Sequence, residues 1–390
     1  MTNWAQESLK LHEKSKGKLA VKSKVQLKTN ADLATAYTPG VAQPCLEIAK
    51  DKEQAYKYTW KWNSVAVLSN GTRVLGLGNI GPTAALPVME GKAILFKEFG
   101  KIDAVPICVD APTVQEMVAI GKAIAPTFGG INLEDIRVPD CFEIEDQLVA
   151  ALDIPVFHDD QHGTAIVTLA ALLNSLKATN QDIATANIIC NGVGAAGSAI
   201  LKAIHNAGAK NVIAFDSKTA LSTTRGDIKG TYKEKLLPMV KNFDGTLSEA
   251  LVNANVFIGT SKPGTLTKEM IAKMAKDSII IALANPIPEI IPEEAHASGA
   301  KIVCTGRSDY PNQVNNVLAF PGVFRGALDS KAKKITPGMK LAAAHALAKL
   351  VSEEELQKGI VVPSPFDKRV VKTVAKAVAR QAKKEKVTRA

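Results

Sequence analysis

The stretch from Asn187 to Asp216 constrains the fold of this chain more than any other. It reads as a short apolar strand, a glycine-rich turn, an amphipathic helix and a second strand that ends in an acid. The turn, GVGAAG, has the spacing G-x-G-x-x-G over residues 192–197. In a strand–turn–helix unit, such glycines permit a tight turn, a close approach of a pyrophosphate to the backbone, and close packing of the helix on the strand.

We interpret this unit as a dinucleotide-binding element, with an ordinary strand-to-helix turn as the alternative. The free N–H groups and the positive dipole end of the helix would face the phosphates. Asp216, at the end of the second strand, can accept hydrogen bonds from a ribose diol. It would repel a 2′-phosphate, so the sequence favours NAD over NADP, although Lys218 weakens that preference. The residues expected to bind the pyrophosphate are Gly192, Val193, Gly194, Ala195, Ala196 and Gly197.

The bulk composition indicates a two-domain cytoplasmic protein. The chain has 390 residues, of which 46% are hydrophobic and 22% charged, and this length favours two cores over one. No apolar run is long enough for a membrane span, and the first residues lack the apolar core of a signal peptide. The five cysteines form no C-x-x-C pair, which suits a reducing compartment and gives no zinc site.

The net charge of +10 is concentrated at the end of the chain. Residues 365–390 contain nine lysines and arginines against two acids. Val371, Val374 and Val378 fall at helical spacing, which predicts a helix that docks through its valines and leaves a solvated basic face. Because no aromatic residues interleave with the charges for base stacking, nucleic-acid binding is not expected.

A second G-x-G-x-x-G occurs at residues 76–81. Pro82 follows it, and Pro87 is expected to break the helix that a dinucleotide site would need. We therefore assign this copy to a turn that approaches a substrate. Arg73, at its edge, is either a clamp for a carboxylate, through its planar set of donors, or a surface charge.

Two residues of the first half carry types that serve in acid–base chemistry. Tyr37 precedes a Thr-Pro-Gly turn and is, on local sequence alone, a packed aromatic as readily as a catalyst. Lys92 lies in a predicted helix beside Ala93, Ile94 and Leu95. Apolar surroundings would lower its pKa toward that of a general base; the alternative is a lysine on the solvated side of the helix.

Two short apolar strands of the first half each end in a pair of acids. Glu134 and Asp135 follow one strand, and Asp159 and Asp160 follow the other. Such an oxygen-rich set suits Mg²⁺ or Mn²⁺, with Lys92 as the cation that offsets the excess charge. Solvated loop acids are the alternative. The nearby histidines, four residues apart, lack the glutamate of H-E-x-x-H, so zinc is not expected.

From Asn187 onward, strands and helices alternate in the pattern of a parallel, doubly wound sheet. Ligands of such sheets bind beyond the carboxyl ends of the strands. Asn285 occupies one of those ends, and Asn315 and Asn316 lie near the same edge. Each of these asparagines is a candidate for binding a ligand, and a capping or turn role is the alternative.

These motifs together resemble the malic enzymes, specifically the short bacterial form. The resemblance covers nearly the whole chain in order and is carried by the segments AYTPGV, RVLGLGNIG, MEGKAILF, INLEDI, FHDDQHGTA, GVGAAG, ALANP and NNVLAFPG. It implies an α/β fold: an N-terminal malic domain over residues 1–155, a Rossmann-type NAD(P)-binding domain over 156–365, and a basic C-terminal helix over 366–390 that packs back on the fold.

The resemblance also implies an activity, the oxidative decarboxylation of (S)-malate to pyruvate and CO₂ with NAD(P) and Mn²⁺ or Mg²⁺. Within the same family, an oxaloacetate decarboxylase with little redox activity is the alternative. A homodimer is expected from the resemblance alone.

Residue roles follow from the resemblance position by position. Tyr37 is similar to the general acid, Lys92 to the general base, and Asp159 to the acid that hydrogen-bonds the lysine. The residues that resemble the metal ligands are Glu134, Asp135 and Asp160. The residues that resemble the malate-binding positions are Arg73, Lys92, Asn285, Asn315 and Asn316, and Asn285 is also counted with the coenzyme site.

Overall fold

A computed structural model describes residues 4–389 of the chain. It contains two parallel β-sheets, which confirms the predicted α/β fold. The first sheet has four strands in the order β2-β1-β3-β4. Its strands are β1 Ser64–Ser69, β2 Asp103–Cys108, β3 Gly130–Leu133 and β4 Val156–His158. The central strands β1 and β3 are buried along their whole length, as expected for parallel strands covered on both faces.

Seven helices precede or cover this sheet. Their bounds are α1 Trp4–Ser15, α2 Asn30–Ala36, α3 Ala42–Lys50, α4 Ala55–Tyr58, α5 Gly81–Gly100, α6 Val114–Ile124 and α7 Asp140–Ala151. Short 3₁₀ turns lie at Lys52–Gln54 and Trp60–Asn63.

Helix α5 differs from the expectation that Pro87 ends it. The helix begins at Gly81, has Pro82 in its first turn and continues through Pro87 to Gly100. Proline removes one hydrogen bond to the carbonyl four residues earlier, here that of Thr83. Both residues lie on the exposed face of the helix, where water can satisfy that carbonyl, so the helix tolerates the proline.

The second sheet confirms the predicted doubly wound pattern. Its five parallel strands have the order β6-β5-β7-β8-β9. They are β5 Asn187–Asn191, β6 Asn211–Phe215, β7 Val256–Gly259, β8 Ile279–Ala282 and β9 Ile302–Thr305. The helices between them are α9 Ala195–Asn206, α10 Leu247–Ala250, α11 Lys268–Ile271 and α12 Pro292–Ala297, with 3₁₀ turns at Gly226–Ile228 and Glu234–Met239. A further 3₁₀ turn, Asn316–Leu318, follows β9.

Helix α8, Asp159–Ala178, joins the two sheets through a shared core. It is buried over most of its length, and its Leu169 and Leu172 belong to one apolar cluster with Val65 of the first sheet and Ile188 of the second. The boundary predicted near residue 155 lies just before β4, which pairs with β3. The exact domain limits stay a prediction.

The last helices close the core. They are α13 Phe320–Asp329, α14 Pro337–Ala348, α15 Glu353–Gln357 and α16 Arg369–Lys384. Helix α16 packs against α13 and α14, and it buries Val370, Val374 and Val378, while Val371 is half-buried. The expected docking through valines is thus confirmed, with Val370 in the core in place of Val371. Within residues 4–389, no helix combines the length and apolar character that a membrane span requires.

Candidate active site

The pairing of β3 with β4 brings the two acid pairs together. The strands are parallel neighbours, and Leu133 lies opposite His158 at their carboxyl ends. The residues that follow, Glu134 with Asp135 and Asp159 with Asp160, therefore leave the sheet at the same edge, as the sequence predicted.

Three of these acids form a compact cluster. Ligand oxygens of Glu134, Asp135 and Asp160 all lie within 4.8 Å of one another. The Asp135 backbone adopts a φ of 54°, and its N–H donates to Asp160 Oδ2 at 2.9 Å. The Asn132 amide donates to Glu134 Oε2 at 2.8 Å. These hydrogen bonds hold the carboxylates beside one another in spite of their charge.

The electrostatics of the cluster fit a divalent cation. Burial raises the pKa of Glu134 well above its usual range, and burial together with Asp160 raises that of Asp135 to about 7. Asp135 Oδ2 is buried and, among the described residues, has no hydrogen-bond partner. Buried carboxylates of this kind are stabilised by a coordinated cation. The arrangement therefore supports the predicted ligand set, while the identity of the ion follows only from the chemistry of oxygen ligands.

Lys92 lies beside this cluster, on α5. Its Nζ is 2.6 Å from Asp159 Oδ2 and 3.0 Å from Glu134 Oε1, and it stands 4.6 Å from the ring centre of Phe320. Burial alone would lower its pKa, but Asp159 and Glu134 outweigh burial and hold the pKa above its ordinary value. The expected lowering by apolar neighbours is therefore wrong for this arrangement, because carboxylates, and not only apolar groups, surround the ammonium.

Asp159 is fixed by close packing. Its side chain is fully buried, and a Cβ at Gly163 would overlap Asp159 Oδ1 and would approach the Asn316 Cβ to 3.0 Å. Only glycine permits these elements to come so close. The structure thus places Asn316 against the same turn of α8 as Asp159, which agrees with its predicted place in the site.

Glu145, on α7, holds the turn that carries the acids and was missed in the sequence. Its carboxylate accepts the His158 backbone N–H at 3.0 Å and the Gln161 amide at 3.2 Å, and it lies 2.8 Å from His162 Nε2. His162, for which the sequence predicts no function, is a partly buried partner of Glu145. The only signal was an acid at a buried position of a helix, 13 residues before His158, which does not by itself identify a partner.

Arg73 and Asn285 approach the cleft from opposite sheets. The Arg73 N–H donates to the Asp135 carbonyl at 3.0 Å, and the guanidinium is exposed. A Cβ at Gly76 would lie 3.2 Å from the Asn285 carbonyl oxygen, so the second glycine motif faces the end of β8. This turn therefore lies where the sequence expected it, near a candidate ligand-binding edge.

Two predicted site residues have other surroundings in this chain. Tyr37 ends α2 with 66% of its surface exposed, and in the described part of the chain its hydroxyl has no hydrogen-bond partner. Asn315 accepts the Val317 N–H at 2.9 Å and so caps a 3₁₀ turn, which is the capping alternative left open by the sequence.

The glycine-rich turn has the predicted local geometry. Gly192 has a φ of 107°, a Cβ at Gly197 would overlap the Gly192 carbonyl, and a Cβ at Gly194 would meet open space. The turn at Gly192, the open space at Gly194 and the close packing at Gly197 therefore have the expected geometry, and the binding of a pyrophosphate there stays a prediction. The Tyr232 hydroxyl donates to the Val193 carbonyl at 3.0 Å, and its ring lies 4.7 Å from that of Phe142 on α7, which links the turn to the acid-bearing half.

Asp216 differs from the expectation of a carboxylate open to a ribose. Arg225 Nη1 and Nη2 bind its two oxygens at 3.1 and 3.0 Å, and Lys233 Nζ lies 2.5 Å from Oδ2. Its side chain is only 4% exposed. Burial opposes ionisation, but the hydrogen bonds from Arg225 and Lys233 outweigh it and hold the pKa of Asp216 below its usual range. The negative charge that was to repel a 2′-phosphate is thus offset by two cations.

Comparison with protein families assigns both halves of the chain. Residues 16–116 match the family described as malic enzyme, N-terminal domain, and residues 161–383 match malic enzyme, NAD binding domain.

Individual proteins agree with this assignment over nearly the full length. The chain is 53% identical to the bifunctional malic/malolactic enzyme of Bacillus subtilis, covering 98% of this chain and 94% of that protein. It is 52% identical to the NAD-dependent malic enzyme of Geobacillus stearothermophilus, covering 96% and 78%. The crystal structure of malic enzyme from Pyrococcus horikoshii superposes with a TM-score of 0.93 at 48% identity, covering 99% of this chain and 92% of that chain.

The contacts of Glu145 generate a testable prediction. In Glu145→Ala, three buried polar groups lose their acceptor, and the turn with Asp159 and Asp160 loses its support. We expect the affinity for Mn²⁺, measured by calorimetry, to fall about tenfold or more. Glu143→Ala, an exposed position on the same helix, is the control and should bind Mn²⁺ as the unchanged protein does. Equal Mn²⁺ affinity in the two variants would show that Glu145 does not position the acids.

Proposed function

Because the chain belongs to the malic enzyme family, we propose that it catalyses the oxidative decarboxylation of (S)-malate to pyruvate and CO₂, with reduction of NAD or NADP. The observation that carries this proposal is the buried Lys92, paired with Asp159 and Glu134 beside a cluster of metal-ligand type. The glycine-rich turn at residues 192–197 is joined to helix α7 of the acid-bearing half by the contacts of Tyr232 with Val193 and Phe142. A base, an oxygen-rich cation site and a coenzyme site are the parts that this reaction requires.

We propose that Glu134, Asp135 and Asp160 hold one Mn²⁺ or Mg²⁺. Such a cation would supply Lewis-acid chemistry at the oxygens of malate, and a bound NAD or NADP would supply the hydride acceptor. The four carboxylates around the single ammonium of Lys92 leave excess negative charge, which a divalent cation offsets before a malate dianion can approach.

We propose that a cation held by the acids would offset the carboxylates that hold up the pKa of Lys92, and that Lys92, once neutral, takes the C2 hydroxyl proton at its Nζ, with Asp159 orienting it. Arg73 is exposed beside Asp135 and is suited to a malate carboxylate through its fork of donors. Asn285 and Asn316 offer amides from the second half of the chain. Tyr37 would protonate C3 of enolpyruvate.

An assay of coenzyme reduction tests the proposed function. With malate and Mn²⁺, we expect reduction of NAD or NADP with an equal amount of CO₂, and no reduction after the metal is removed. Metal-dependent CO₂ release from oxaloacetate without coenzyme reduction would favour the decarboxylase alternative, which the family comparisons do not favour.

Lys92 provides the prediction for the chemical step. Lys92→Ala should lower the rate of malate oxidation by about a hundredfold or more, because no other described ammonium lies within ion-pair distance of Asp159. The affinity for NAD, measured by fluorescence titration, should change little. Lys97→Ala, an exposed lysine on the same helix, is the control. Equal loss of oxidation and NAD affinity in Lys92→Ala would contradict the role of base.

Arg225 provides the prediction for coenzyme choice. The preference for NAD that Asp216 suggested stays a prediction, and the pairing of Asp216 with Arg225 and Lys233 supports use of either coenzyme. We expect Arg225→Gln to lower kcat/KM for NADP about tenfold more than for NAD, because a 2′-phosphate would lose a guanidinium. An unchanged ratio of the two efficiencies would show that Arg225 does not read the 2′ position.

We propose that the protein is a homodimer. Within residues 4–58 no residue is buried, although this arm carries large apolar side chains. Those that are exposed are Trp4, Leu9, Leu11, Leu19, Val21, Val25, Leu27, Leu33, Tyr37, Val41, Leu46 and Tyr58. Exposed apolar surface of this extent favours a protein partner, and an arm of a second copy would bring its Tyr37 to a site whose own chain leaves that residue exposed.

Mixing inactive variants tests this arrangement. If Tyr37 of one copy serves the Lys92 site of another, an equal mixture of Tyr37→Phe and Lys92→Ala proteins should regain about a quarter of the unchanged activity. About half of the dimers are then mixed, and one of the two sites in each mixed dimer is intact. Sedimentation should show dimers in each preparation. Mixed dimers that form by subunit exchange but recover no activity would place both residues in the site of one chain.

Two further features of the chain concern its cellular compartment and its partners. All five cysteines are free, which supports the reducing cytoplasm expected from the sequence. The basic face of α16 belongs to a helix that docks on α13 and α14, so we propose no nucleic-acid partner.

A further inference from the structure

A cavity lies between helices α8, α9 and α14, apart from the acid cluster. Its volume is about 120 Å³, which is room for roughly eight to twelve water-sized groups. Most of its wall is apolar. The apolar residues that line it are Ala165, Ile166, Leu169, Ala199, Ala203, Pro337 and Leu341.

Two ammonium groups line the same cavity. Lys340 on α14 is half-buried and Lys202 on α9 is exposed at the edge. In the part of the chain that the structure describes, the Lys340 ammonium has no hydrogen-bond acceptor and no carboxylate within ion-pair distance. Its recorded contact is the ring of Phe157, whose centre is 5.8 Å away.

The other charged groups around Lys340 do not neutralise it. Burial lowers its pKa to about 8, Glu145 acts in the opposite direction, and Lys202 and Asp146 contribute less. The ammonium therefore keeps its proton at neutral pH. Glu145 is already occupied by three donors of the β4–α8 turn, one of which is His162, the remaining ionisable group in the wall. The cavity thus has a positive end without a matching anion.

We propose that this cavity binds a small aliphatic monocarboxylate. The carboxylate would lie between Lys340 and Lys202, and the carbon chain would replace water along α8 and α9. One carboxylate can accept hydrogen bonds from both ammonium groups through its two oxygens, and an apolar wall excludes a ligand that is charged at both ends. The available room accommodates a chain of roughly four to six carbons.

This site is distinct from the coenzyme turn and the acid cluster. The cavity contacts α9 at Ala199, Lys202, Ala203 and Asn206, beyond the glycine-rich turn at its start. It contacts α8 from His162 onward, on the turns that follow Asp159 and Asp160. A ligand here would therefore lie against the helix that carries those acids without occupying their position.

Titration of the intact protein with hexanoate, followed by ligand-observed NMR, tests the proposal. We expect saturable binding at one site per chain. Hexan-1-ol has the chain without the charge, and acetate has the charge without the chain. Each should bind at least about tenfold more weakly than hexanoate.

Two variants locate the site. Lys340→Met removes the charge, and Ala203→Leu fills the apolar part while leaving both lysines in place. Each should weaken hexanoate binding about tenfold, whereas Lys349→Met, just past the end of α14 and outside the cavity, should not. Thermal melts identify any variant that fails to fold. Hexanoate binding that is absent, equal to that of hexan-1-ol, or unchanged in both variants would overturn the proposal.

Discussion

The ion pairs of Lys92 with Asp159 and Glu134 are the interaction on which the rest of the site depends. They join α5, the end of β3 and the start of α8 at one buried point, and each partner is below a tenth exposed. A buried ammonium without these carboxylates would lose its charge, and the carboxylates without it would repel one another. The three elements are therefore held together by charges that none of them could bury alone.

Two features of the fold bring Lys92, Asp159 and Glu134 together. Parallel neighbouring strands end at one edge, so two acid pairs that are far apart in sequence meet there. Helix α8 then runs from that edge through the shared core of both sheets. Its first turn, which carries Asp159 and Asp160, is therefore part of a helix that is held firmly by packing. Gly163 is part of the same constraint, because a side chain there would displace Asp159.

Much of this architecture could be predicted from the sequence, and the exceptions have physical causes. The alternation of apolar runs predicted the second sheet, and the glycine spacing predicted the turn at residues 192–197, because both signals are local. The acids that we propose as metal ligands were recognisable because they follow apolar strands. In contrast, the roles of Tyr37 and Lys92 came only from family resemblance, because neither local sequence distinguishes a catalyst from an ordinary residue.

Contacts between distant segments account for what the sequence did not predict. Arg225 and Lys233 reach Asp216 from a loop that carries no motif, and they change its meaning for coenzyme choice. Glu145 likewise reaches the β4–α8 turn from a helix, α7, that carries no motif. The prediction that Pro87 ends the helix was wrong, because the sequence alone does not show that Pro87 lies on the exposed face of α5.

A crystal structure with Mn²⁺ and a malate analogue would test the central claim most directly. Anomalous scattering locates manganese without reference to activity or to any variant. The account predicts one strong peak bounded by Glu134, Asp135 and Asp160, with the analogue between that ion and Lys92. A peak elsewhere, with the three carboxylates left without metal, would contradict the proposed centre and the chemistry derived from it.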